Sequence, residues 1–544
     1  MKFTTAALIL APLVVADDQC SVGASDRYDC GQISSNQTSC EGKWEDEKLV
    51  HCASKRGYCQ VFFSRGGQKN LTLADKILTN NFICPLLTAS GCCWSPLDDG
   101  VSGPWCFFKK GDEPKSCFVP VNSTDTSPFT SDEIDTMKGY FTANINVEQV
   151  GAVVAAPDND TPGGSYYFHW MRDGALTMHA YQIITPTTDE SYQTTMESYI
   201  TWVLGRQALS SVNDEVDVRV EPKFMIPSGD VFDGGWCRPQ NDGPGLRAIA
   251  LITYANSGVP SDDYVKDSVW KAVKDDLDWI VDGWDTMTCD LWEEIRSDDL
   301  FWNRVTMKKA LTIGAEFASS MGDSASSASY TSIASKIDDN LDTHWTGSFV
   351  QEDSNRQKDG AVFIGFNNGY TDSDSKYAPT SQEVASTIAT LVKSFCQEYG
   401  INALDKTNNV PGVLIGRYPG DTYANGNPWV LTTAALGQLL YRAASYTLSN
   451  GLPSADALGY FTEGLNLSFS DSSDASSVAA TLAAAGDSVM LRIKEHVKDD
   501  GGHLDEQIDR DTGKQLSAKD LTWSYAEVLL AMDARDKYLD QAKN

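Results

Sequence analysis

Positive charge is what this sequence has least of. Its 544 residues carry 43 Lys and Arg against 75 Asp and Glu, a formal net charge of −32. Such a surface repels nucleic-acid phosphates and anionic membranes, so neither is an expected partner. A neutral substrate suits it better. Histidine is scarce, with 6 in the chain, and none falls in a His-Glu-x-x-His spacing. There is no Walker loop. The stretch "DSDSKYAPTSQE" (372–383) imitates a calcium loop, but Lys376 fills a ligand position and Tyr377 stands where that loop needs glycine. No metal and no organic cofactor is implied. Past the N-terminus, no apolar run approaches the ~18 residues of a membrane-spanning helix.

The N-terminus "MKFTTAALILAPLVVADDQC" combines Lys2, an apolar stretch from Ala6 to Val15 and a small-residue site ending at Ala16. That is the pattern of a secretory signal, residues 1–16, and a secreted protein is expected. Secretion permits disulfides, and Asn36, Asn70, Asn122, Asn159 and Asn466 head glycosylation triplets. Most of the 13 cysteines fall between Cys20 and Cys117, which marks a small bridged module at 17–117. Cys117, Cys237, Cys289 and Cys396 are left without an assignable pairing, although bonding is favoured over free thiols.

Within that module, "CSVGASDRYDCGQISSNQTSCEGK" and, much later, "GCCWSPLDDGVSGPWCF" resemble a trefoil (P-type) domain. The resemblance implies the pairs Cys20–Cys93, Cys30–Cys92 and Cys40–Cys106. Residues 44–90 interrupt it with a locally basic insert holding three cysteines, Cys52, Cys59 and Cys84. Two readings stand: a long loop on the trefoil core, or a translated intron. The second is favoured, because removing the insert restores both the family spacing and an even cysteine count. A trefoil serves either to bind carbohydrate or as a structural appendage, and both uses stay open.

Residues 118–130, rich in Ser, Thr, Pro and Asp, read as a linker. From 131 to 544 the apolar spacing is helical, over eleven or twelve segments separated by long loops. In "TSQEVASTIATLVKSFCQEYG", Thr380 and Glu383 suggest a capping box, Val384, Ile388, Leu391 and Phe395 one buried face, and Gly400 a stop. In "NPWVLTTAALGQLLYRAASY", Asn427 and Pro428 suggest a helix start. Strand alternation is rare. An all-α ring of helices with elaborate loops at one end fits this pattern.

The loops share one chemistry. "YYFHWMRDGAL" (166–176), "GGWCRPQNDGPGLRA" (234–248), "GRYPGDTYANGNPW" (416–429) and "KDLTWSY" (519–525) set Trp and Tyr beside Arg, Asp, Gln and Asn. Sugars offer hydroxyls at their edges and C–H faces above and below, so their sites pair bidentate polar groups with flat aromatic platforms. Two acidic clusters accompany these loops, "CDLWEEIR" (289–296) and "HLDEQIDR" (503–510). Glycosidic hydrolysis needs two such carboxyls, one giving a proton to the leaving oxygen and one activating water. Glu293, beside Glu294 and Trp292, is expected to be pushed upward in pKa by its neighbour's charge and partial burial. Glu506, far away in sequence, is expected to stay ionised.

Taken in order, "YFHWMRD", "WCRPQNDGPGLRA", "DLWEE", "GRYPGDTYANGNPW" and "LDEQIDRDTGKQLSAKDLTWSY" resemble the motifs of glycoside hydrolase family 15, the glucoamylases, over nearly all of 131–544. The resemblance implies an (α/α)6 barrel and an inverting exo-hydrolase, expected as a monomer, whose partner is an α-glucan: starch, glycogen or a maltooligosaccharide. It implies Glu293 as general acid and Glu506 as general base. It implies Arg172, Asp173 and Arg417 as the grip on the terminal glucose, Glu294 as a contact to the next unit, and Trp236 as support for acid and substrate. Tyr166, Trp170, Trp429 and Trp523 would complete the pocket wall. Inversion leaves room for a water, so these carboxyls are expected ~6.5–9.5 Å apart. Phe168, Met171 and Cys237 depart from the family pattern. The same fold acting on trehalose or another α-glucan, or a barrel that only binds carbohydrate, are the competing readings.

Overall fold

The computed structural model describes residues 28–29, 92–96, 102–106, 115–210, 216–370, 376–470 and 472–543. It divides into two units, Met1–Lys115 and Ser116–Asn544. The signal segment, the insert at 44–90 and the side chains of the pairs Cys20–Cys93, Cys30–Cys92 and Cys40–Cys106 lie outside the described residues. What is described of the first unit is an antiparallel sheet in the order Tyr28–Asp29, Ser102–Cys106, Cys92–Pro96, with Cys92 opposite Cys106.

The second unit is helical. Among the described residues, twelve helices form its two layers: α1 Ser131–Ala143, α2 Met171–Ile184, α3 Tyr192–Gln207, α4 Asp242–Asn256, α5 Trp270–Gly283, α6 Phe301–Ser320, α7 Ser324–Leu341, α8 Ala361–Gly369, α9 Gln382–Glu398, α10 Val430–Asn450, α11 Ala475–Val497 and α12 Thr522–Ala542. Further helices at Gly400–Thr407 and Ala455–Leu465 follow α9 and α10. Among the described residues, α2, α4, α6, α8, α10 and α12 touch one another in that order, and α12 returns to α2. The even helices therefore close an inner ring, and the odd ones lie outside it. Sequence pattern follows position. In α2 and α4 nearly every residue is buried, whereas α7 buries only one face. No helix among the described residues is long and apolar enough to cross a membrane.

Because the chain runs outer, inner, outer, inner, successive inner helices point the same way. The loops that precede them gather at one end of the ring. All four aromatic-polar loops and both acidic clusters lie just before an even helix, at its N-terminal end. There the unsatisfied amides and the helix dipole favour negative charge.

Three expectations shift. The segment 118–130 is laid along the helical unit: Cys117 is bonded to Cys396 of α9, Phe118 and Phe129 are buried, and Val119 pairs with Gly412. Its apolar anchors sit too far apart to make a periodicity. The cap of α9 is Ser381, whose Oγ accepts from the Val384 amide at 3.2 Å, one residue beyond Thr380, which is buried. Helix α10 starts at Val430 because Asn427 and Pro428 are engaged elsewhere. The Asn427 side chain donates to Gln507 Oε1 at 2.9 Å, and the Pro428 carbonyl accepts from the Ile508 amide at 2.9 Å. Pairing with the distant Glu506 segment overrides the local start signal.

Candidate active site

At the loop-bearing end of the ring is a cavity of about 400 Å³. Glu293, Glu294 and Trp236 line it, as do Tyr166, Trp170, Arg172 and Asp173. Arg417, Trp429, Glu506 and Trp523 complete the set, so all eleven residues singled out by sequence meet in one place. Its volume lies in the range of small-ligand sites, roughly 300–1,000 Å³.

Glu293 sits on a tight turn. The two-residue ladder between Thr288–Cys289 and Arg296–Ser297 closes the turn, and Asp290 Oδ1 accepts from the amides of Glu294 (2.7 Å) and Ile295 (2.9 Å). Glu293 itself has φ +66°, a left-handed conformation that costs a non-glycine residue and persists only where its surroundings fix it. A disulfide between Cys237 and Cys289 ties the turn to the Trp236 loop. Glu293 Oε1 accepts from Trp170 Nε1 and Gln240 Nε2, each at 2.8 Å, and lies 3.6 Å from Arg172 Nη2.

The expected coupling of Glu293 to Glu294 is not what the turn produces. Its sharp reversal sends Glu294 to other partners: Arg417 Nη2 at 2.7 Å, Arg356 Nη2 at 2.9 Å and the Tyr418 hydroxyl. Adjacent in sequence, the two carboxylates are divided between different cations.

Glu506 precedes the short hairpin of Gln507–Ile508 and Gln515–Leu516 and is 1% exposed. Oε1 accepts from Tyr166 Oη at 2.9 Å; Oε2 accepts from Gln507 Nε2 at 2.8 Å and Ser517 Oγ at 2.5 Å. Burial pushes its pKa up, and these three hydrogen bonds together with the Arg417 charge oppose the rise.

The remaining polar groups line the base and side. Arg172, in the first turn of α2, donates from Nη1 to Gln240 Oε1 (3.0 Å) and Asp242 Oδ2 (3.3 Å). Its guanidinium lies 5.7 Å from the Trp523 ring centroid. Arg172 Nε and Asp173 Oδ2 are both buried without a hydrogen-bond partner. Burial pushes the Asp173 carboxyl up to about 6, with the Arg172 charge opposing. Arg417 is gripped by Asp421 through Nε (2.8 Å) and Nη2 (2.6 Å), a two-pronged bond that fixes its plane. Arg172 Nε and Asp173 Oδ2 face each other at 3.5 Å as an ion pair and make no hydrogen bond, and beside a fixed guanidinium and several aromatic faces they leave polar groups and flat surfaces that a sugar's hydroxyls and C–H faces would complete.

The family model for Glycosyl hydrolases family 15 matches residues 140–533. The chain belongs to glycosyl hydrolase family 15. Glucoamylase from Blastobotrys adeninivorans is 31% identical over 458 residues, covering 76% of this chain and 72% of that protein. Glucoamylase 1 from Rhizopus oryzae is 32% identical over 424 residues, covering 72% and 68%. Among solved structures, the family 15 glucoamylase of Hypocrea jecorina superposes with a TM-score of 0.67 at 30% identity, covering 75% of this chain and 72% of its own. The Saccharomycopsis fibuligera glucoamylase gives 0.67 at 27% identity, covering 77% and 97%.

This family 15 enzyme departs from its motif pattern at three places, and they are not equivalent. Cys237 lines the cavity and is bridged to the Glu293 turn. Phe168 packs edge-on against Trp170 and Phe232, behind the wall. Met171 is buried beside Phe224 and Trp202, away from the cavity. Other residues act on the site beyond those eleven. Gln240 bridges Glu293 and Arg172, and Ser517 and Gln507 hold Glu506. Trp292 lines the pocket and donates from Nε1 to Asp359 Oδ1 at 2.8 Å. Tyr423 closes the wall beside Tyr166 at 3.1 Å between hydroxyls. Gln240 and Tyr423 stand inside the quoted motifs and were findable there. Gln507 and Ser517 also stand inside a quoted motif, but their reach to Glu506 depends on the hairpin and is not marked by the motif itself.

Proposed function

We propose that this protein is a secreted glucan 1,4-α-glucosidase, an exo-hydrolase that releases β-D-glucose with inversion from non-reducing ends of starch, glycogen and maltooligosaccharides. The observation that carries this reading is the meeting of Glu293 and Glu506 in one cavity backed by the packed inner ring. A cavity closed below admits the end of a chain and no run of sugar through it. Arg172 and Asp173 at its base, with Arg417 at its side, grip the terminal unit, and the Trp and Tyr faces hold its apolar sides. Glu294, already paired with Arg417, faces the next unit.

Glu293 protonates the glycosidic oxygen. Trp170 and Gln240 fix its Oε1, which orients the carboxyl toward the leaving group. Glu506 takes a proton from a water that attacks the anomeric carbon from the other face, and the product emerges as the β-anomer. The N-terminal signal pattern supports secretion, and the relatives named as glucoamylases support the substrate class.

Proton NMR of the anomeric signals in the first minutes of maltooligosaccharide hydrolysis tests the reading. β-Glucose appearing first is the expected result. α-Glucose first overturns inversion. No glucose from starch fragments, with turnover of trehalose or isomaltose, moves the substrate to another α-glucoside; binding without turnover makes the barrel a carbohydrate-binding protein.

A further inference from the structure

Helix α12 carries a buried acid that the chemistry above does not use. Trp523, in the first turn of α12, forms pocket wall beside Arg172. One turn further along, Glu527 is 1% exposed. Residues four apart share a helix face, so Glu527 lies behind Trp523, deeper in the ring. Its Oε1 accepts from Trp523 Nε1 at 2.9 Å, while Oε2 is buried with no hydrogen-bond partner.

Among the described residues, the helices packed against α12 offer no cation to Glu527. On α2, Arg172 is taken by Gln240 and Asp242, Asp173 is itself acidic, and Thr177, one turn below, has a hydroxyl without a partner. On α10, Tyr441 donates to Asp487, and Arg442 donates to the carbonyls of Phe366 and Asn367. Asp487 of α11 is paired with Arg535. On α1, Glu133 is paired with Lys494 and capped by Thr130, and Asp132, Asp135 and Lys138 stand on exposed or half-buried positions. An ionised carboxylate without a countercharge is costly in such a place, whereas a protonated one can accept from the indole and keep an O–H for its second oxygen.

We propose that Glu527 is a positioning residue for the sugar-facing Trp523, and that it works as a neutral, protonated acid. Burial pushes its carboxyl from 4.5 up to about 7, with only the Trp523 hydrogen bond opposing. Below that range the acid is neutral and the indole is held in the wall. As pH rises through it, a negative charge forms behind Trp523; the anion accepts more strongly from the indole, but its second oxygen is buried without a donor, and the water drawn in to solvate that oxygen displaces the ring from its fixed place. The inference rests on the glucosidase reading for its kinetic readout, and it has a second readout that needs no substrate.

The experiment compares the wild type with Glu527→Gln, a permanently neutral isostere, and Glu527→Leu. KM and kcat for a maltooligosaccharide are followed from pH 4 to pH 8.5. Wild-type KM is expected to rise roughly 3–10-fold between pH 6 and pH 8 while the Glu527→Gln KM stays level, with both kcat profiles alike. Glu527→Leu should raise KM at every pH. In parallel, the emission of Trp523, taken as wild type minus Trp523→Phe, should titrate near neutrality in the wild type and stay flat with Glu527→Gln. Superimposable KM profiles, or a Trp523 emission that titrates alike in both proteins, overturns the proposal. If no sugar is hydrolysed but the emission titrates only in the wild type, the function above fails and the role of Glu527 stands.

Discussion

Glu293 and Glu506 face one cavity from opposite kinds of support. Glu293 stands on a strained turn, and both hydrogen bonds it receives go to a single oxygen. Glu506 extends from a hairpin and has both oxygens occupied, by Tyr166 on one and by Gln507 and Ser517 on the other. A carboxyl held by one oxygen keeps the other for a proton and a leaving group. A carboxyl surrounded by donors keeps its anion stable in a buried place. The contrast teaches that the proposed acid and base differ in which oxygens remain available.

The largest effect should come from neutralising each in turn. Glu293→Gln and Glu506→Gln should each lower kcat on maltooligosaccharides by ~10²–10⁴-fold. α-Glucosyl fluoride separates them, since fluoride leaves with little help from an acid. Glu293→Gln should retain substantial turnover of it and Glu506→Gln should not; equal losses on both substrates would erase the difference in roles. Next comes the support of the turn. Replacing Cys237 and Cys289 together by serine should lower kcat about 10-fold by loosening the Glu293 turn, with little change in the pH limb set by Glu506. A double variant with wild-type kcat would show that the bridge is not needed there.

Ser517→Ala acts on the other side. It removes a hydrogen bond that opposes the burial-driven rise at Glu506, so the Glu506 pKa should move further up. The base must be ionised to work, and the acidic limb of the kcat profile should shift to higher pH. A limb that moves to lower pH contradicts this environment. The smallest effect concerns stability. Burial raises Asp173 and Asp505 to about 6 and Glu527 to about 7 in the folded protein, from ordinary values of 3.8 and 4.5. Groups raised in this way contribute stability that is complete below about pH 4 and lost as pH rises through 6 to 7. The thermal midpoint should be higher at pH 4.5 than at pH 7.5, and the reverse order would contradict these assignments.

Much of this arrangement was legible in the sequence because its signals were dense and local. Helical periodicity over 131–544 anticipated the helices, and aromatic-polar loops just before inner helices anticipated the cavity. What escaped was decided at a distance. The Cys117–Cys396 and Cys237–Cys289 bridges span 279 and 52 residues, and no local pattern fixes such pairs. Ser517 reaches Glu506 only because a hairpin folds back. Glu294 leaves its neighbour because Arg356 and Arg417 arrive from loops far along the chain. The contacts of the linker segment also went unseen, because the buried Phe118 and Phe129 and the bonded Cys117 are too widely spaced to make a periodic face.

That segment also has a mechanical meaning. Tension applied to the chain ahead of Cys117 enters the molecule through a covalent bond to α9, on the outside of the ring. The load is thus borne by a helix that contributes nothing to the cavity. A pull from the N-terminal side therefore meets the disulfide at Cys117 before it reaches residues 118–130.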